Sequence, residues 1–189
     1  VTKNNDYDHD IIFKYLIDLV IVSCYYSNRF TSADSYLDRI NTIDIVDLVD
    51  INTVTINTSG PGDYEYSIDY LNGLWQDSNF FSSVPGGIHQ VLVNDKNGCG
   101  IVTKEITVLS IPKFFTPNND SYNDFWTVKG MISYPNSELR IFDRYGKLLK
   151  ELRPTSLGWD GTFNGQELPA SDYWFVFKMD ATAPEKRGH

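Results

Sequence analysis

Histidine, cysteine and surplus basic charge are scarce in this sequence, and each scarcity removes a class of function. The 189 residues include three histidines and two cysteines. Two cysteines cannot build a four-thiolate zinc site, and no histidine pair stands near them at ligand spacing. Cys24 and Cys99 either form one disulfide or remain two independent thiols, and the sequence alone leaves both open. Sixteen Lys and Arg face twenty-five Asp and Glu, a net charge of −9. Nucleic-acid and anionic-membrane surfaces need a basic patch, so this balance argues against both.

Long apolar runs are missing too. The best, Ile11 to Tyr26, contains Lys14 and Asp18 and is too short and too polar to span a bilayer. The N-terminus shows neither a basic leader nor a small-residue cleavage site. The chain starts at Val1 and reads as a fragment of something longer. Catalytic signatures are equally thin: no nucleophile elbow surrounds any serine, no histidine motif suits a metal, and no glycine-rich phosphate loop occurs. Asp120 and Asp124 are the one imaginable acid/base pair, without a groove signal around them. The chain therefore reads as non-enzymatic.

Aromatic residues are abundant, with 12 Tyr, 11 Phe and 4 Trp. They suit pleated, half-buried surfaces. Residues 1–40 fit a helical stripe (Ile12, Leu16, Leu19, Val20) and strand alternation equally well. From residue 43 the pattern is β. Val54 and Ile56 alternate with polar residues, as do Tyr64, Tyr66 and Ile68. Ile88, Val91 and Val93 follow the turn at Pro85-Gly86-Gly87, and a long strand ends near Leu109. Asp95-Lys96-Asn97-Gly98 is a hairpin signal. Charge shifts near residue 111, where an acidic stretch gives way to a neutral one with ten basic and ten acidic side chains. Beyond it, IPKFF opens the second unit as a short strand bracketed by Pro112 and Pro117, and ELRIFDR, LLKEL and DYWFVFKM are strand-like, punctuated by Gly158-Trp159-Asp160-Gly161 and Asn164-Gly165. The expectation is an all-β chain of two small Ig-like β-sandwich domains in tandem, at 41–110 and 111–189. An N-terminal segment of uncertain structure, residues 1–40, precedes them and would be the end of an earlier module.

One segment is dense in oxygen. FFTPNNDSYNDFW, residues 114–126, sets proline, asparagine and aspartate between two aromatic pairs expected to be buried. Asn118, Asp120, Asn123 and Asp124 could ligate calcium, which takes six to eight oxygens on a flexible loop. The run lacks a full calcium-loop spacing, and the plainer reading is a turn whose side chains bond their own backbone. Trp159-Asp160-Gly161-Thr162 reads either as a contact epitope or as a core tryptophan followed by a turn.

Three ordered motifs carry a resemblance. IPKFFTPNNDSYNDFW, then YPNSELRIFDRYGKLL, then GWDGTFNGQELPASDYWFVF resembles the type B C-terminal sorting domain of the Bacteroidetes type IX secretion system, the gliding-motility-associated C-terminal domain. GDYEYSIDYLNGLWQDSNFFSSVPGGIHQVLVNDKNGCG is similar to an Ig-like module that often precedes it in cell-surface adhesins. The departures are local. Asn119 and Ser121 stand where the family has glycines; Asn tolerates φ > 0 better than most residues and Ser less well. Ser171-Asp172 replaces a glycine before the last aromatic strand. The final strand of the family looks absent after Gly188-His189, which would expose a sheet edge.

The resemblance implies a sorting signal recognised by the type IX translocon and an outer-membrane SprF-like (PorP-like) barrel. Export would run through the periplasm and outer membrane to the cell surface or medium. The passenger would be an adhesin, as used in gliding. Arg140, Arg144, Lys147, Lys150 and Arg153 form a basic cluster that could dock an acidic partner loop, or an ordinary solvated face. The rival reading is an adhesive or carbohydrate-binding module using Tyr70, Trp75 and Trp174.

Overall fold

β-Branched and aromatic residues at every second position can bury one side of a pleated strand and wet the other. That pattern governs the chain throughout. A computed structural model describes residues 40–60, 62–70, 73–97 and 100–189. The reading of residues 1–39, and the question of whether Cys24 and Cys99 pair, lie outside the described residues. Among the described residues six strands come first: β1 (Ile40–Val46), β2 (Thr53–Thr58), β3 (Tyr64–Ile68), β4 (Phe80–Ser82), β5 (Gly87–Asp95) and β6 (Ile101–Val108). Six follow: β7 (Glu138–Phe142), β8 (Leu148–Leu152), β9 (Thr162–Phe163), β10 (Gln166–Glu167), β11 (Trp174–Lys178) and β12 (Lys186–Gly188). No α-helix occurs among the described residues; Met131–Ser133 is a single 3-10 turn. The all-β class expected from the sequence therefore holds.

Among the described residues the strands form four sheets, ordered β1-β2-β4, β3-β5-β6, β12-β11-β7-β8 and β10-β9. Two compact units emerge, and neither is one continuous stretch. The described part of the first comprises residues 40–44, 55–81 and 90–105. The second comprises 45–54, 82–89 and 106–189. The composition shift near residue 111 thus falls inside the second unit.

In the first unit β3 pairs antiparallel with β5, setting Tyr66 opposite Val93 and Ile68 opposite Val91. Ile56, Tyr66, Val91, Leu92 and Val93 are buried. One expected position differs, in the part of β5 that belongs to the second unit. Period two puts Ile88 opposite in parity to Val91 and Val93, and Ile88 is 51% exposed. His89 takes the buried position instead, its Nε2 2.8 Å from the Pro85 carbonyl oxygen. An imidazole with a backbone partner can be buried where an unpaired polar group could not.

The second unit holds a core of Leu109, Val128, Met131, Leu139, Ile141, Leu152, Trp159, Phe175 and Phe177. Leu139 and Ile141 project from β7 and Phe175 and Phe177 from β11, directly across the ladder. Trp159 is the largest fully buried side chain. Its ring meets Phe115 at 5.5 Å and Tyr173 edge-on at 4.9 Å, and its Nε1–H donates to the Thr162 carbonyl at 2.9 Å. Ring pairs and a satisfied indole donor let so large a group be fully enclosed.

One expectation about this unit is corrected. IPKFF is irregular rather than a first short strand. Pro112 and Pro117 both lack the N–H a ladder needs, and the segment is held by Trp126 Nε1–H donating to the Pro112 carbonyl. The last described strand of this unit is β12, which pairs antiparallel with β11. Phe175 pairs with Gly188, Val176 with Arg187 and Phe177 with Lys186. A Cβ at Gly188 would lie 2.7 Å from the Phe175 ring, so glycine lets the strand cross that ring closely.

Candidate functional site

The oxygen-rich loop is built by its own backbone. Asp124 Oδ1 accepts from the N–H groups of Asn118 (3.0 Å) and Asn119 (2.6 Å), and Oδ2 from Ser121 N–H (2.7 Å). Asp120 Oδ1 accepts from Tyr122 N–H at 2.8 Å, and Oδ2 from Asn118 Nδ2 at 2.9 Å. Asn118 Oδ1 accepts from Asp120 N–H at 3.2 Å. Thr116 N–H donates to the Asn123 carbonyl at 2.9 Å, tying the two limbs. A carboxylate that gathers N–H donors replaces the turn's lost solvent bonds.

The four residues expected to ligate calcium are thus neighbours, but Asp120 and Asp124 face N–H groups. Among the described residues, no group of three or more His, Cys, Asp or Glu side chains is placed to hold a metal. The arrangement is that of a closed turn. Asn119 (φ 63°), Ser121 (φ 69°) and Asn123 (φ 55°) are left-handed. The first two are the positions where the resembled family carries glycine. Ser171 and Asp172 are absent from the left-handed set, so the second departure costs no backbone strain.

The aromatic pairs flanking the loop were expected to be buried, yet each splits. Phe115 and Trp126 pack against the core. Phe114 is 69% exposed and Phe125 43%. Tyr122 (73%) and Leu157 (80%) are exposed as well. Phe125 and Leu157 line one shallow cleft with Asn119, Ser121, Asn123, Asp124, Thr127 and Lys129. Gly158 brings the two limbs together: a Cβ there would sit 2.8 Å from Phe125 Cβ. Spacing gave no sign that these apolar groups face outward, because an aromatic pair next to a turn reads the same whichever member packs.

The basic cluster is divided by the β7–β8 hairpin. Arg140 and Glu151 are cross-strand partners, as are Ile141 and Lys150, so Arg140 and Lys150 lie on opposite faces. Arg140 Nε approaches Glu138 Oε1 at 2.9 Å without a well-aligned hydrogen bond, and Nη2 lies 3.7 Å from Glu185. Arg153 pairs with Glu151 at 2.6 Å and Glu138 at 3.7 Å. Glu185 also takes Lys178 at 3.2 Å and Arg187. Those hydrogen bonds, led by Arg187 and Lys178, hold its carboxyl below the usual range. Arg144 Nη2–H donates to Ser171 Oγ at 3.2 Å, and Lys147 Nζ lies 4.2 Å above the Phe163 ring. Lys150 helps to lower the pKa of Asp160, whose main stabiliser is its hydrogen bond from Thr162 N–H. The five residues are not one free basic patch: Arg140 and Arg153 belong to an ion-paired strip.

The aromatic residues of the rival reading are also scattered. Tyr70 is 61% exposed, Trp75 half-buried and Trp174 41% exposed. Tyr70 and Trp75 belong to the first unit and Trp174 to the second.

Comparison with known proteins adds the following. No curated protein matches the chain. Among solved structures the chain is similar to a biofilm associated protein, its BSP domain, at 13% identity and a TM-score of 0.25. That likeness covers 77% of this chain and 30% of the other, so the chain spans under a third of that protein's length. At such a score it carries no argument about function. No described helix is long and apolar enough to cross a membrane. The model of the CHU_C type IX secretion signal domain matches residues 109–189. This is the stretch that carries the TPNND, IFDRYG and WDGT motifs, and it supplies most of the second unit's core. Residues 109–189 thus match a type IX secretion signal domain, and such a signal implies recognition by secretion machinery and export to the cell surface or outside.

Proposed function

We propose that the chain is the C-terminal export and surface-targeting region of a large secreted or cell-surface protein. Its signal is read by the type IX translocon and by an outer-membrane SprF-like barrel, and its passenger is an adhesin of the kind used in gliding motility. The observation that carries this reading is the family match over residues 109–189. It is supported by a second unit that is a folded β-module with rigid turns and an ion-paired outer strip, a form suited to docking. The chain works by recognition and has no catalytic role. The test is export of a reporter protein fused ahead of the chain in a type IX-secreting bacterium. Reporter outside the cell, lost when the translocon is disabled, is expected. Retention of the unaltered fusion inside would overturn the reading.

A further inference from the structure

We propose that the loop 114–125, together with Leu157, is the face that docks on the secretion partner, and that it takes a cationic, apolar protein segment bearing arginine or lysine. This rests on the sorting reading above and names the surface that serves it.

Three observations converge. The first is exposure. Phe114, Tyr122, Phe125 and Leu157 are 69%, 73%, 43% and 80% exposed. Three of them fall within one short loop, and the fourth shares a cleft with Phe125. Exposed large apolar groups that cluster, rather than scatter singly, mark interaction surfaces. The second is preorganisation. The hydrogen bonds from Asn118, Asn119, Ser121 and Tyr122 N–H to Asp124 and Asp120 fix the backbone that displays these rings. A loop already held in shape loses less entropy on binding. The third is charge. Asp120 and Asp124 make no ion pair within 4 Å among the described residues, whereas Arg140, Arg153, Lys178, Arg187 and Lys113 of the same unit are all paired. Lys129 is the one cation among the residues that line the cleft. Each carboxylate oxygen engaged by one N–H keeps a second acceptor site. A guanidinium or ammonium arriving there meets an uncompensated carboxylate and an aromatic face, both of which favour a cation. Arginine and aromatic residues are also the commonest anchors of protein interfaces.

The test uses the reporter fusion with the full chain. Phe114→Ser/Tyr122→Ser/Leu157→Ser removes the apolar groups while keeping every backbone hydrogen bond of the loop. Asp120→Asn keeps the acceptor for Tyr122 N–H and removes the charge, and Asp120→Lys reverses it. Tyr145→Ser, at an 88% exposed position on the β7–β8 turn, serves as control. Melting should match the unaltered chain in the triple variant, Asp120→Asn and Tyr145→Ser, and fall slightly in Asp120→Lys, which removes the acceptor of Tyr122 N–H. Export should fall about tenfold or more in the triple variant and in Asp120→Lys, fall less in Asp120→Asn, and hold in Tyr145→Ser. Normal export of the triple variant overturns the surface while leaving the sorting function standing. Loss in the triple variant with no effect of either Asp120 change overturns the cationic partner. Failure of the unaltered fusion overturns the sorting reading itself.

Discussion

At Ser121 the backbone takes φ 69° without glycine's freedom. A left-handed L-residue costs roughly 1–2 kcal/mol, and glycine loses an extra 0.5–1 kcal/mol or so of entropy on folding. Ser121→Gly should therefore stabilise the second unit by about 0.5–1 kcal/mol, read as a rise in melting temperature. Asn119→Gly should gain less, since asparagine tolerates this conformation. Both positions are legible in the sequence through the motif around them, because the requirement for φ > 0 is local. Exposure is not local, and so Phe114 and Phe125 could not be told from Phe115 and Trp126 by spacing. His89 shows the same limit: its burial depends on the Pro85 carbonyl, reached only once the turn at Gly86-Gly87 is folded.

At the scale of elements, the turn after Trp159 ties charge to packing. Asp160 Oδ1 accepts from Thr162 N–H and Oγ1–H, while Trp159 Nε1–H reaches the Thr162 carbonyl. The Thr162 bonds, assisted by Lys150, depress the Asp160 pKa below 3.8. A carboxylate with a lowered folded pKa contributes stability above its unfolded value, and that contribution disappears as pH falls through the folded pKa. The second unit should therefore lose melting temperature on acidification below about pH 4. Asp160→Asn should melt lower than the parent at neutral pH and close part of the gap in acid; parallel curves across that range would show that Asp160 plays no such part. Strands β7, β8 and β11 were readable because Leu139, Ile141, Phe175 and Phe177 alternate cleanly with polar neighbours. IPKFF had apolar residues and no ladder partner, and apolar content alone does not make a strand. The pairing of Arg140 with Glu138 and Glu185 was illegible, since Glu185 stands just before β12, far along the chain.

For the whole molecule, the all-β class followed from punctuation and alternation, and the sorting signal from three motifs in order. The partition into units was harder to foresee. Residues 45–54 and 82–89 join the second unit although the charge balance shifts only near residue 111. Their role is specific. Leu48 packs on the core, its N–H donates to the Leu109 carbonyl at 3.2 Å, and Leu109 N–H donates to Asp47 Oδ2 at 2.8 Å. Burial raises the Asp47 pKa, partly offset by that bond. Composition is blind to such an arrangement, because it averages over neighbours in sequence rather than in space.

Because the second unit takes two strips from upstream, its assembly is a long-range event. Loops of dozens of residues must close before Leu48 and Asp47 can meet Leu109, and such closure slows folding. A piece cut at residue 109 would keep the matched signal and forfeit these partners. It should fold faster and melt lower than residues 40–189, by a few kcal/mol for one lost leucine contact and its hydrogen bonds. Stopped-flow refolding and thermal melts of the two lengths would check both halves; equal stability would show the strips to be dispensable. A unit built this way matures on a clock set by the chain ahead of it, so the moment at which the matched domain completes its fold is tied to the closing of the loops upstream.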